Sequence, residues 1–274
     1  MKIVSYLQNQ KPRVSHVTIL SPEDGNFPAH AHDICELLLF KRGSASYLVE
    51  GRRYPLRRNA LILTRPGCVH RICIEANEPY ERYNVMYNTI KMLPELYERL
   101  PIDLDVLYLE EDHPITELFR KMNFYREHVE GAAYDRLVSG LIEEIFYHIA
   151  ILAKEQSAAE YISANPLIRM AVAYIEENLS SLESIDQICR ALYITKSHLH
   201  HLFVQHMQIT PKKYILSKRL TLAQRAIRSG KKPTEICEQC GFQNYATFYR
   251  AYKQFFGHTP SEELAQKPIR EFHS

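Results

Sequence analysis

The stretch from Ser184 to Pro260 constrains this chain most, because one pattern is written there twice. The first copy reads IDQICRALYITKSHLHHLFVQHMQITP and the second PTEICEQCGFQNYATFYRAYKQFFGHTP, each closing on Thr-Pro. Ile188-Cys189 corresponds to Ile236-Cys237, and Leu199, Leu202 and Phe203 to Phe248, Ala251 and Tyr252 after one inserted residue in the turn. With only two copies, this is a tandem pair and not a solenoid. Ser184 with Gln187 three residues later has the form of a capping box opening a short helix. A tight turn follows, and Thr195 has the right chemistry to cap a second helix. Leu199, Leu202, Phe203 and Met207 then fall at helical spacing, and Phe248, Ala251, Tyr252, Phe255 and Phe256 repeat the pattern. Two short helices joined by a tight turn, the second amphipathic, describe a helix-turn-helix.

The opposite face of each second helix carries polar chemistry. It presents Lys196, Ser197, His200, His201 and Gln205 in the first copy. In the second it presents Asn244, Tyr245, Thr247, Tyr249, Arg250, Lys253 and Gln254. One such face is ordinarily only solvated; two with matched caps and matched cores point to base edges and phosphates. Between the copies, YILSKRLTLAQRAIRS has no Gly or Pro and shows an apolar stripe of Ile215, Leu216, Leu220, Ala223 and Ile227 before Gly230. About 18 residues of helix span roughly 27 Å. That is near the roughly 34 Å between successive major grooves on one face of DNA.

The stretch from about Pro166 to Pro260 resembles the DNA-binding region of the AraC/XylS family of bacterial transcription regulators, most specifically in CGFQNYATFYRAYKQFFGHTP. The resemblance implies that Ser197, His200 and His201, together with Tyr245, Ala246, Thr247, Tyr249 and Arg250, touch DNA, and that Arg219 is structural. Two departures stand out. Gln208 occupies the place where the family has a helix-ending glycine, which the second copy keeps as Gly257, and the first recognition helix has histidines and no arginine. A Gln at positive φ costs on the order of 1 kcal/mol, so the first unit is expected to be less rigid.

Charge divides along the chain. From Pro166 onward, 15 Lys and Arg stand against 9 Asp and Glu, while the rest has 19 against 23. A basic C-terminal part beside an acidic N-terminal part suits a DNA-binding module joined to something that should avoid DNA. The 274 residues have room for two cores. Six scattered cysteines in apolar contexts read as buried thiols of a reducing compartment, and Cys237-x-x-Cys240 as helix packing. MKIVSYLQNQKPR lacks a signal-peptide core and no run nears 18 apolar residues, so the expected location is the cytoplasm.

From Val14 to about Asn88, short strand-like runs alternate with Gly, Pro and Asn turns, the pattern of a sandwich or barrel. Among them lie His30, His32, Glu36 and Gly43, then Pro66-Gly67 and His70. This H-x-H-x3-E-x6-G and P-G-x2-H spacing resembles the two motifs of the cupin barrel, which often serves the AraC/XylS family as effector domain. In catalytic cupins these four side chains hold a divalent metal. Here His30, His32, Glu36 and His70 are candidate effector ligands, either around a metal or lining a metal-free polar cavity. Arg65 and Tyr87 cannot be assigned from sequence alone.

The expected organisation is α+β and multidomain. An arm and cupin-like effector barrel occupy 1–88, and a helical, dimerising segment 89–156, where Leu137, Leu141, Ile145, His148 and Leu152 form a stripe. A linker covers 157–166 and an all-α DNA-binding domain 167–274, with helix-turn-helix units at 185–207 and 234–256. The expected function is effector-responsive, sequence-specific regulation of transcription by a homodimer that binds promoter DNA and RNA polymerase. By family resemblance the effector is a sugar or related metabolite. The alternative is a metal-dependent cupin enzyme fused to a DNA-targeting domain.

Overall fold

The computed structural model describes residues 2–4, 12–32, 34–87, 100–101, 104–155, 162–163 and 165–265. Its N-terminal half is a sandwich of two sheets. Strands β1 (Lys2–Val4), β3 (His30–His32), β8 (His70–Ile74), β5 (Ala45–Val49), β6 (Arg52–Pro55) and β11 (Ile162–Ser163) lie in that order in one sheet. Strands β10 (Val106–Tyr108), β7 (Ala60–Thr64), β4 (Cys35–Arg42), β9 (Tyr80–Tyr87) and β2 (Arg13–Ile19) make the other. β1 is parallel to β3, with Lys2 beside His30; the remaining pairings are antiparallel.

Period-2 alternation distributes the side chains among three layers. Leu38, Phe40, Tyr47, Val49, Ile62, Ile72 and Tyr80 fill the space between the sheets. The other face of the second sheet, with Leu37, Leu39, Leu61, Leu63 and Val85, is covered by α1 (Pro114–His128) and α2 (Gly131–Glu155). Because β4 is buried on both faces, it reads as the unbroken apolar run CELLLF and not as an alternation.

The C-terminal half is α-helical: α3 (Pro166–Glu177), α4 (Ile185–Ala191), α5 (Lys196–Met207), α6 (Pro211–Arg228), α7 (Pro233–Gln239), α8 (Tyr245–Phe256) and α9 (Pro260–Ala265). The Ser184–Gln187 capping box, the Thr195 cap on His198 N and the Asn244 cap on Thr247 N set the helix starts. α6 ends in a reverse turn, with Gly230 at φ +93° and Lys231 N bonded to Ala226 O.

Three expectations need correction. A barrel boundary at 88 omits β10, which pairs with β7 and brings Val106 into the interior. The linker carries β11, which pairs with β6, and the arm carries β1; residues 157–161, 164 and most of the arm lie outside the described residues. On α2 the buried face is Val138, Ile142, Ile145, Phe146, Ile149 and Leu152. That is a rotation of the stripe read from sequence, whose Leu137 is exposed. The helix is apolar around most of its circumference, so periodicity left its phase open.

Candidate functional site

The barrel interior brings together the four residues picked out by spacing. β3 turns His30 and His32 inward, register places His30 opposite His70 on β8, and Glu36 enters from β4 of the facing sheet. Each offers a ligand-capable atom, and these atoms all lie within 4.8 Å of one another. His32, Glu36 and His70 are buried and His30 partly so. Sequence reading missed the wall of the cluster. The Tyr47 ring lies 6.0 Å from His70, and its hydroxyl is 2.7 Å from Thr64 Oγ1. Arg65 and Tyr87 point elsewhere, Arg65 donating to Leu104 O and Tyr87 packing on Phe146.

Hydrogen bonds fix the ring orientations. Nδ1 of His30, His32 and His70 meets the carbonyls of Pro28, Ile34 and Cys68 at 3.0, 2.7 and 2.9 Å. A carbonyl only accepts, so each Nδ1 carries hydrogen and a neutral ring keeps its lone pair on Nε2. Nε2 of His32 and of His70 then stand 3.0 and 3.2 Å from the same Glu36 oxygen. Two lone pairs facing a carboxylate repel unless positive charge lies between them, as extra protons or as a cation. Burial, with His70 adding to it, pushes the His30 imidazole down to about 4, so it is neutral near pH 7. Burial opposes ionisation of Glu36, but the bonds from His32 and His70 outweigh it and hold its carboxyl well below the usual range. The donor set, three oriented imidazoles and one carboxylate, fits iron, manganese, nickel or zinc.

A crevice too narrow for a water molecule lies where Leu48, Glu50 and Val69 meet Met207 of the helical half. A roomier one, about 500 Å³, lies outside the barrel against Lys41, Arg42, Arg58 and Arg120. Nearby carboxylates offset its charge, Arg58 pairing with Glu111 at 2.7 Å and Arg120 with Glu117 at 3.5 Å. It does not include the cluster.

In the C-terminal half, Leu199, Leu202, Phe203 and Met207 bury one face of α5, and Phe248, Tyr252 and Phe256 one face of α8. This leaves Lys196, Ser197, His200, His201, Ala246, Thr247 and Arg250 exposed, with Tyr245 and Tyr249 half-buried on the same side as a ring pair 6.2 Å apart. Lys196 is partly engaged by Asp186 at 2.8 Å. Arg219 donates to Leu179 O at 3.0 Å and also bonds Leu182 O, so it holds α6 to the loop after α3.

Exposed polar helix faces in a duplicated helix-turn-helix, behind a barrel with an internal polar cluster, define a DNA-binding regulator with a ligand-binding domain. Residues 18–150 match the family described as AraC-like ligand binding domain, and residues 188–266 match a helix-turn-helix domain family. The chain belongs to the AraC family of effector-responsive transcription regulators. It is 22% identical over 245 residues to the HTH-type transcriptional activator RhaS of Escherichia coli O139:H28, covering 86% of this chain and 87% of that one. Among solved structures, ToxT from Vibrio cholerae O395 covers 94% of this chain and 98% of its own at 14% identity and TM-score 0.39. An AraC-type regulator from Chromobacterium violaceum matches 39% of this chain and 96% of its own at 31% identity and TM-score 0.36. No helix among the described residues is long and apolar enough to cross a membrane.

Proposed function

We propose that this regulator works in the cytoplasm, grips promoter DNA with both recognition helices, and is governed by occupancy of the His30, His32, Glu36 and His70 cluster. The carrying observation is the pair of solvent-facing polar helix sides, each held by a buried core. On α5 the DNA-contacting residues are Lys196, Ser197, His200 and His201. On α8 they are Tyr245, Ala246, Thr247, Tyr249 and Arg250. RNA polymerase is the expected protein partner at the promoter. The effector, by family resemblance, is a sugar or related metabolite.

The four-residue cluster would also serve a metal-dependent enzyme, but the relatives are regulators, which favours a sensing role over catalysis. The test is selection of duplexes from a random library by the full chain at several salt concentrations, beside Arg250→Ala. A selected site with two elements about one helical turn apart, bound at least tenfold more weakly by Arg250→Ala, supports the reading. Weak, non-selective binding indifferent to Arg250 overturns it.

A further inference from the structure

The first sheet turns its outer face to the helical half. There Ala29, Ala31 and Val69 share a core with Met207 and Tyr214, and Glu50 bonds Tyr214 and Lys218. The hollow of about 500 Å³ lies on the other side of the barrel, over the second sheet. Its lining includes Lys41 and Arg42 from β4, Arg58 from the turn between β6 and β7, Glu81 and Tyr83 from β9, and Arg120 from α1. Four cations from three separate parts of the chain thus meet in one concavity.

An irregularity of the sheet puts two of them there. Leu39 of β4 pairs with Tyr83 and Phe40 with Arg82, but Arg42, and not Lys41, pairs with Glu81. Lys41 is therefore the extra residue of a β-bulge, which breaks the alternation of faces. Phe40 points into the barrel, and Tyr83 packs on the helix-covered side. In an unbroken strand Arg42 would follow Phe40 inward; the bulge sets it opposite Glu81, on the same outer side as Lys41. Asn59 then fixes the lysine. It is 1% exposed, and its side chain accepts from Lys41 Nζ and donates to Glu111 Oε2 at 3.1 Å.

The charges of the hollow do not balance. Glu111 answers Arg58 and Glu117 answers Arg120. Lys41 is bonded to a neutral amide, and among the described residues Arg42 makes no ion pair. Glu81 is the one carboxylate facing these two, and it already accepts from His16 Nε2 at 2.9 Å. Burial lowers the pKa of Lys41, and Arg58 and Arg120 lower it further, outweighing Glu111 and Glu81.

We infer that this hollow is a ligand site separate from the barrel interior, and that it takes the phosphate group of a small phosphorylated metabolite. Forked guanidinium groups and an ammonium arriving from three directions suit the three outer oxygens of a phosphate ester, whereas a planar carboxylate is satisfied by one fork. Lys41 spends one of its three N–H groups on Asn59 and keeps two for the ligand. The volume also has room for the organic part of the ester, within the usual range of small-molecule sites. A duplex is too wide to enter it.

The test is calorimetry on the full chain with inorganic phosphate, glucose 6-phosphate, glucose and succinate. One phosphate or phosphate ester is expected per chain, with glucose and succinate bound far more weakly. Lys41→Gln and Arg42→Gln should each weaken phosphate binding about tenfold, the worth of one charge-assisted hydrogen bond. His30→Ala should leave it unchanged. The inference is overturned if neither phosphate compound binds, if succinate or glucose binds as tightly, or if both variants bind phosphate normally. Loss of phosphate binding in His30→Ala overturns it too, by placing the ligand in the barrel interior. So does a matching loss of affinity for a selected duplex in Lys41→Gln, which would make the hollow a DNA contact.

Discussion

Tyr193 and Gln208 are the residues at which the two helix-turn-helix copies differ most in backbone cost. Both sit in the left-handed region, at φ +54° and +53°, where the second copy has Gly241 and Gly257 at +81° and +79°. Tyr193 is 95% exposed, so it gains little packing in return. Replacing either with glycine should stabilise the first unit by about 0.5–1 kcal/mol in chemical denaturation. The second copy has no such freedom at Gly241, where an added Cβ would stand 2.6 Å from Arg219 Nε. Gly241→Ala should therefore displace Arg219 from Leu179 O and Leu182 O and lower stability by about 2 kcal/mol. The Gln208 strain was legible in sequence because the copies align. The Arg219 contact was not, since it joins positions whose proximity only the packed helices create.

Among the elements, α9 is tied to the second unit through one carboxylate. Glu263, with 2% side-chain exposure, meets His258 Nε2 at 2.7 Å, Arg228 Nε at 2.8 Å and the Tyr252 hydroxyl at 2.9 Å. Burial opposes its charge, but His258 and Arg228 together with Tyr252 outweigh that and hold the carboxyl at about 2. A carboxyl lower in the folded than in the unfolded chain adds stability above its unfolded value. That stability is lost as pH falls from about 4.5 toward 2, on the order of 3 kcal/mol in all. Glu263→Gln should flatten this acid limb in pH-dependent unfolding, at the cost of lower stability at pH 7. Motif spacing located the helices and the His-Glu cluster because helical and strand periods are local. It missed β10 and β11 because three- and two-residue strands carry too little period to read, and existing strands recruit them.

For the whole molecule, α2 leaves Leu137, Tyr147 and Ile151 at 43–53% exposure on one side, away from its buried face. We expect this side to be where a second copy docks. On that expectation the chain runs as a dimer in light scattering, and Ile151→Glu runs as a monomer of intact fold that binds a two-element site more than tenfold more weakly. Dimerisation is an expectation of the family resemblance, and the stripe read for it mixes core positions, Ile145 and Leu152, with the exposed Leu137.

Ala29, Ala31 and Val69 share a core with the first helix-turn-helix unit, whereas among the described residues the core cluster of the second unit draws on residues from Leu220 onward. The two halves are accordingly not interchangeable parts. Grafting this barrel onto a relative's DNA-binding half would lose the contacts of Glu50 with Tyr214 and Lys218 and of Pro66 O with Arg225 unless that strip of α6 came with it. A lineage that exchanges barrels must exchange that strip of helix as well.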